Sequence, residues 1–190
     1  MTWPAALRTF LQYLALERAA SANTREAYER DVERLRLFLE QERPGADPAQ
    51  VQPADLEAFM GYLGEMGLAP ATQARMLSGI RAFFEFLVYE DVVKTSPAEL
   101  LPAPRQGREL PEVLSFAEIE RMLAVPDLTT PEGLRNRAII EMLYGSGLRV
   151  SELCALKLHQ IYTEAGFVRV IGKGSKERLV PASEDALTYT

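Results

Sequence analysis

Tyr144-Gly145-Ser146-Gly147-Leu148-Arg149-Val150-Ser151-Glu152-Leu153 is a helix broken at two glycines and restarted at an arginine. Upstream, Pro131 opens an apolar-periodic run through Ile139, Ile140, Met142 and Leu143. The run predicts a helix that stops at Gly145-Ser146-Gly147, because glycine enters the left-handed terminal conformation without a Cβ penalty. A short helix follows from about Arg149 to Leu156. Arg149 begins it, so its guanidinium can project from the junction as a planar, permanently charged fork suited to phosphate oxygens. Glu152 lies three residues on, the spacing at which helical side chains meet, and can hold Arg149 in orientation. The same spacing also fits an ordinary surface Arg–Glu pair.

Farther along, Gly166-Phe167-Val168-Arg169-Val170-Ile171 and Glu177-Arg178-Leu179-Val180-Pro181 flank the turn Gly172-Lys173-Gly174-Ser175-Lys176. Two short β-prone runs around a glycine-rich turn predict a hairpin. Arg169, Lys173, Lys176 and Arg178 stand against Glu177 alone, four cations to one acid, the clearest basic cluster in the chain. A basic hairpin suits a nucleic-acid groove. A solvated turn with ordinary surface lysines is the other reading. Gly-Lys-Gly-Ser-Lys lacks the spacing of a phosphate-binding loop, so no nucleotide site is expected.

The first ninety or so residues read as four helices. Leu7, Phe10, Leu11 and Leu14 lie on one helical face, and Tyr28, Val32, Leu35 and Leu39 on a second, capped by Asn23 or Thr24. Pro44 to Pro53 is a loop. A third helix starts at Pro53 and ends near Gly67, and a fourth starts near Pro70 and carries Leu77, Ile80, Phe84 and Leu87. Short connections make these a compact bundle over 1–92. Between Pro70 and Arg81 the basic residues Arg75 and Arg81 stand without an acid, a second basic cluster. The prolines of Lys94 to Pro111 predict an extended linker over 93–111. A second domain, 112–190, opens with the capping-box pattern of Ser115 and Glu118.

The net charge of −6 points away from a nucleic-acid binder, which usually carries a basic domain. Net charge averages over faces, however, and the two basic clusters keep DNA open as a partner. An apolar fraction of 47% and a charged fraction of 25% are ordinary for a globular protein. No uncharged apolar run is long enough for a bilayer, so no membrane partner is expected. Met1-Thr2-Trp3-Pro4 lacks the basic, apolar start of a secretory signal. The lone Cys154 reads as a small buried thiol in a reducing cytoplasm.

Together, Gly147-Leu148-Arg149-Val150-Ser151-Glu152-Leu153 and Val170 to Arg178 resemble the first catalytic box and the lysine-bearing hairpin of the tyrosine recombinase (phage integrase) family, Xer type. Ser21-Ala22-Asn23-Thr24 with Tyr28 and Asp31 is similar to the opening of the second helix in its core-binding domains. The resemblance spans essentially the whole chain. It implies a mainly α fold: a four-helix, SAM-like core-binding domain, then the first part of an α+β catalytic domain with a β-hairpin. It implies site-specific recombination of double-stranded DNA at a partly palindromic site, chromosome dimer resolution above mobile-element integration, with protomers assembled as a tetramer on DNA. Arg149 would contact the scissile phosphate, Lys173 would act as general acid on the 5′-oxygen, and Glu152 would orient Arg149. Arg75, Arg81, Arg169, Lys176 and Arg178 would contact DNA. Neither metal nor other cofactor is implied, since the family forms a 3′-phosphotyrosyl link.

The departure from the family pattern is large. The His-x-x-Arg box and the nucleophilic tyrosine should follow the hairpin, but the chain runs only to Thr190, seventeen residues past Lys173. His159 lies upstream of the hairpin, and Tyr189 lacks the nucleophile's context. The nucleophile is therefore expected to be absent, leaving a truncated chain unable to cleave DNA. The alternative is a non-catalytic DNA-binding module that occupies sites or partners an intact recombinase.

Overall fold

The computed structural model describes residues 1–105, 107, 112–172 and 176–189. The chain forms two compact units, Met1–Glu109 and Leu110–Thr190.

The first unit holds α1 (Trp3–Leu16), α2 (Ala22–Glu42), α3 (Pro53–Glu65) and α4 (Pro70–Tyr89), with a 3-10 turn at Pro48–Gln50. α2 starts earlier than Asn23 or Thr24, because the Ser21 hydroxyl accepts the Thr24 backbone N–H at 3.2 Å and so serves as the N-cap. α3 opens at Pro53, where the Asp55 carboxylate accepts the Gln52 N–H at 2.8 Å, and the chain turns at Gly67 with φ +75°. The core is aromatic. Phe10 meets Phe83 edge-on at 5.4 Å, Trp3 stacks on Phe83 at 5.9 Å, and Phe38 lies 5.4 Å from Phe59. Burying each such ring is worth roughly 1.5–3 kcal/mol. Leu7 and Leu11 are only partly buried, since Trp3, Ala6, Phe10 and Leu14 form the inner stripe of α1.

The stretch beginning at Lys94 is not extended throughout. Ala98 and Leu101 are buried in the bundle core, and their carbonyls accept hydrogen bonds from the Arg81 guanidinium. Prolines limit regular structure there, yet apolar residues between them still dock. Arg108 and Pro111, also read as linker, lie outside the described residues.

The second unit holds α5 (Phe116–Leu123), α6 (Pro131–Ser146), α7 (Val150–Cys154), β1 (Ile161–Tyr162), β2 (Phe167–Ile171), β3 (Glu177–Pro181) and α8 (Glu184–Thr188). At α5 the Glu118 carboxylate accepts both the backbone N–H and the hydroxyl of Ser115, as the capping pattern requires. The sheet is antiparallel in the order β1-β2-β3, with Val168 opposite Val180 and Val170 opposite Arg178. Period-two alternation sends Val168 and Val170 inward to join Met142, Leu148 and Ala186 in the core. Cys154 is exposed, contrary to the sequence expectation. Its apolar neighbours Leu153 and Leu156 pack on the core, and the short helix turns the thiol away.

Candidate functional site

α6 ends where Gly147 takes φ +59°, a left-handed conformation that reverses the chain, and Leu148 then buries itself in the core. The anchored leucine leaves Arg149 at the N-cap of α7 with its side chain 70% exposed. Glu152, one turn on, is 4% exposed. Its carboxylate accepts the Arg149 backbone N–H and the Arg149 Nη1, both at 2.9 Å. It also accepts both ends of the Arg178 fork from β3, Nη1 at 2.7 Å and Nη2 at 2.8 Å. Glu152 is thus a hub that ties α7 to the hairpin.

The hub's electrostatics follow from these contacts. Arg178's paired hydrogen bonds, then the Arg149 backbone N–H, hold the Glu152 carboxyl far below the usual carboxylate range. Arg178 is pushed up in return by the same carboxylate. Gly172 makes the approach possible, since a Cβ there would sit 3.0 Å from Arg178 Nη1 and 3.4 Å from Glu152 Oε1. The Gly172 N–H bonds the Lys176 carbonyl at 2.8 Å and closes the strand ends. Arg149 spends one of its five donors on Glu152, and its exposure leaves the others open to an anion. Lys173 itself lies outside the described residues.

The remaining basic positions divide between free and engaged. Lys176 is exposed, while Arg169 faces Glu177 across the strands at 3.7 Å. The hairpin's surplus of positive charge is therefore partly met within the protein, Arg178 by Glu152 and Arg169 by Glu177. No acid lies between Pro70 and Arg81 on α4, and Arg75 and Arg81 find partners outside that helix. Arg75 forms a two-bond pair with Asp31 of α2, at 2.8 and 2.7 Å, and Arg81 binds the Ala98 and Leu101 carbonyls. Sequence reading missed both acid partners. Glu152 and Arg178 are 26 residues apart, beyond any local pattern. Asp31 did leave a trace, as an acid standing inside the Tyr28, Val32, Leu35 stripe of α2.

Tyr189 does not join this cluster. Its ring lies 5.3 Å from the Arg137 guanidinium, whose Nε donates to the buried Glu141 at 3.0 Å. His159 is exposed in the turn before β1. Among the described residues no group of three or more His, Cys, Asp or Glu could hold a metal ion, and no helix is long and apolar enough to cross a membrane.

Residues 7–91 match the phage integrase N-terminal SAM-like domain, and residues 112–190 match the phage integrase family. Tyrosine recombinase XerD of Listeria monocytogenes is 36% identical over 182 residues, covering 96% of this chain and 61% of the relative. XerD of Chlorobaculum tepidum is 41% identical over 190 residues, covering 98% and 62%. XerC of Xanthomonas campestris is 41% identical over 182 residues, covering 96% and 56%. The chain thus spans about three fifths of the length of these relatives. Among solved structures, a lambda integrase tetramer bound to a Holliday junction is similar in fold, with TM-score 0.73 at 21% identity over 98% of this chain and 53% of that one. The Tn1549 transposon integrase with transposon right end DNA gives TM-score 0.72 at 22% identity, covering 100% and 63%. With both domains matched in order and Xer relatives aligned along nearly its whole length, the chain belongs to the phage integrase family of tyrosine recombinases and is of the Xer type.

Proposed function

We propose that the chain supplies the DNA-binding bundle and the first catalytic residues of a site-specific recombinase that breaks and rejoins duplex DNA, in the manner of chromosome dimer resolution. The observation that carries this reading is the exposed Arg149 guanidinium held on a buried carboxylate that Arg178 locks from the other side. Arg149 binds a non-bridging oxygen of the scissile phosphate and stabilises the charge that gathers as the pentacoordinate transition state forms. A tyrosine hydroxyl attacks phosphorus, the P–O5′ bond breaks, and a 3′-phosphotyrosyl link and a free 5′-hydroxyl result. Lys173 gives the 5′-oxygen its proton. Glu152 keeps Arg149 in place, and Arg178, its fork engaged by Glu152, serves that end in preference to DNA. Arg75, Arg169 and Lys176 meet phosphates, and Arg81 adds positive charge to α4. The partners are a partly palindromic duplex and further protomers that complete a tetramer on it; no metal or other cofactor takes part. The setting is the cytoplasm, where chromosomal DNA lies.

The test uses the protein at its relatives' full length on a nicked duplex that traps the covalent adduct. A protein–DNA adduct is expected in a denaturing gel, with Arg149→Ala lowering its rate of formation by about 100-fold or more. A protein that binds the duplex yet forms no adduct would contradict the enzymatic reading and favour a non-catalytic binding module.

A further inference from the structure

Asp31 is the one acid buried in the first unit's core among the described residues, with a side chain 2% exposed. Its partner Arg75, reaching across from α4, is 50% exposed. The pair is end-on: Arg75 Nη1 meets Oδ2 at 2.8 Å and Nη2 meets Oδ1 at 2.7 Å. An end-on pair uses the far edge of the guanidinium and leaves the Nε–Nη2 edge as a second, intact fork. The packing is built around the carboxylate. A Cβ at Gly79, one turn beyond Arg75, would stand 2.7 Å from Asp31 Oδ2 and 3.0 Å from the Tyr28 ring.

The pair is a poor device for stability alone. Burial pushes the Asp31 carboxyl up despite Arg75, with Arg30 and Arg34 pulling weakly the other way. An apolar residue of similar size commonly serves a core as well as, or better than, a buried ion pair. The arginine side opens onto a groove lined by Arg30, Arg34, Thr72 and Arg75 together with the acids Glu29 and Glu33. Glu33 is engaged by Arg36 at 2.7 Å. Three arginines meet three carboxylates there, of which Asp31 is engaged by Arg75 and Glu33 by Arg36.

We infer that Asp31 is a positioning residue for DNA contact, its buried carboxylate holding Arg75 so that the remaining Nε–Nη2 edge grips a backbone phosphate. This rests on the DNA-binding reading above and adds a residue that does not itself touch DNA. A bidentate Arg–phosphate contact depends on orientation, and Asp31 supplies that orientation before DNA arrives.

The sign of one substitution separates positioning from charge balance. Asp31→Asn removes a negative charge beside the groove, so charge balance alone would tighten duplex binding. Positioning makes it weaker, by about tenfold, the loss expected when a charge-assisted hydrogen bond is given up. The experiment is a gel-shift titration of the 190-residue chain on duplex DNA over a salt series, with Asp31→Asn, Arg75→Ala, Arg75→Lys and the Asp31→Asn/Arg75→Ala double variant. Asp31→Asn should weaken binding, and the double variant should bind no worse than Arg75→Ala, whose salt slope falls by about 1. Thermal melts report whether Asp31→Asn folds. Should it not, Arg75→Lys carries the test, since it keeps the charge but loses the fork, and a loss close to that of Arg75→Ala is expected. An unaltered chain that binds while Asp31→Asn or Arg75→Lys binds equally well or better would overturn the inference and leave the DNA-binding reading intact. Absence of binding by the unaltered chain overturns both.

Discussion

Glu152 accepts four hydrogen bonds from two arginines, and its folded-state pKa lies well below the ordinary value of 4.5. A depressed carboxylate pKa means that the folded state binds fewer protons than the unfolded chain across the interval between the two values. The stability that Glu152 contributes is therefore complete above about pH 4.5 and is lost as acid reaches the folded-state pKa. Glu152→Gln should lower the melting temperature at pH 7 and flatten its decline below pH 4.5. Thermal melts across pH 2 to 7 of both proteins check this; parallel curves would contradict it. Gly133 offers a second test at this scale. A Cβ there would lie 1.8 Å from the Asp127 carbonyl oxygen, a contact only backbone movement can relieve. Gly133→Ala should cost more than about 1 kcal/mol, read by chemical denaturation. Arg149 and Glu152 were legible as a pair because helical spacing joins them. Arg178 was legible only as a basic residue, since its partner comes from a register that no local pattern encodes. Asp31 stands in a stretch that resembles the family, yet its pairing with Arg75 spans 44 residues and appears only once α2 and α4 pack.

The helices of the first unit could be read because each has a continuous apolar stripe and a hard start or stop. Pro53, Pro70 and Pro131 each begin the helix they were expected to begin. The elements that escaped notice are those too short to show a period. β1 has two residues and α8 has five, although Ser183 followed by Glu184 and Asp185 does carry a helix-start signal. Ala98 and Leu101 were hidden for another reason: prolines around them argued for a linker, while burial is decided by what lies opposite. The aromatic centre of the bundle sets the energetic scale. Phe83 is fully buried and touches Trp3, Phe10 and Phe84 through ring contacts. Phe83→Ala should destabilise the first unit by about 3–5 kcal/mol. Denaturant unfolding followed by Trp3 fluorescence measures it, and a change below about 1 kcal/mol would show a core able to collapse around the loss.

At the scale of the whole chain, a net charge of −6 sits with two groups of arginines that are partly neutralised from within. Such a molecule cannot hold DNA by bulk charge, so any affinity must come from placed side chains and must fade as salt rises. Family membership follows from the matched domains and relatives, whereas DNA contact by these particular residues is a proposal that stands or falls on binding. The direct measurement is a titration of the chain against a duplex carrying a Xer-type recombination site, beside a scrambled duplex, at two salt concentrations. Tighter binding to the site, weakening steeply at the higher salt, is the predicted result. Equal or undetectable binding to both duplexes at low salt would contradict DNA recognition by this chain.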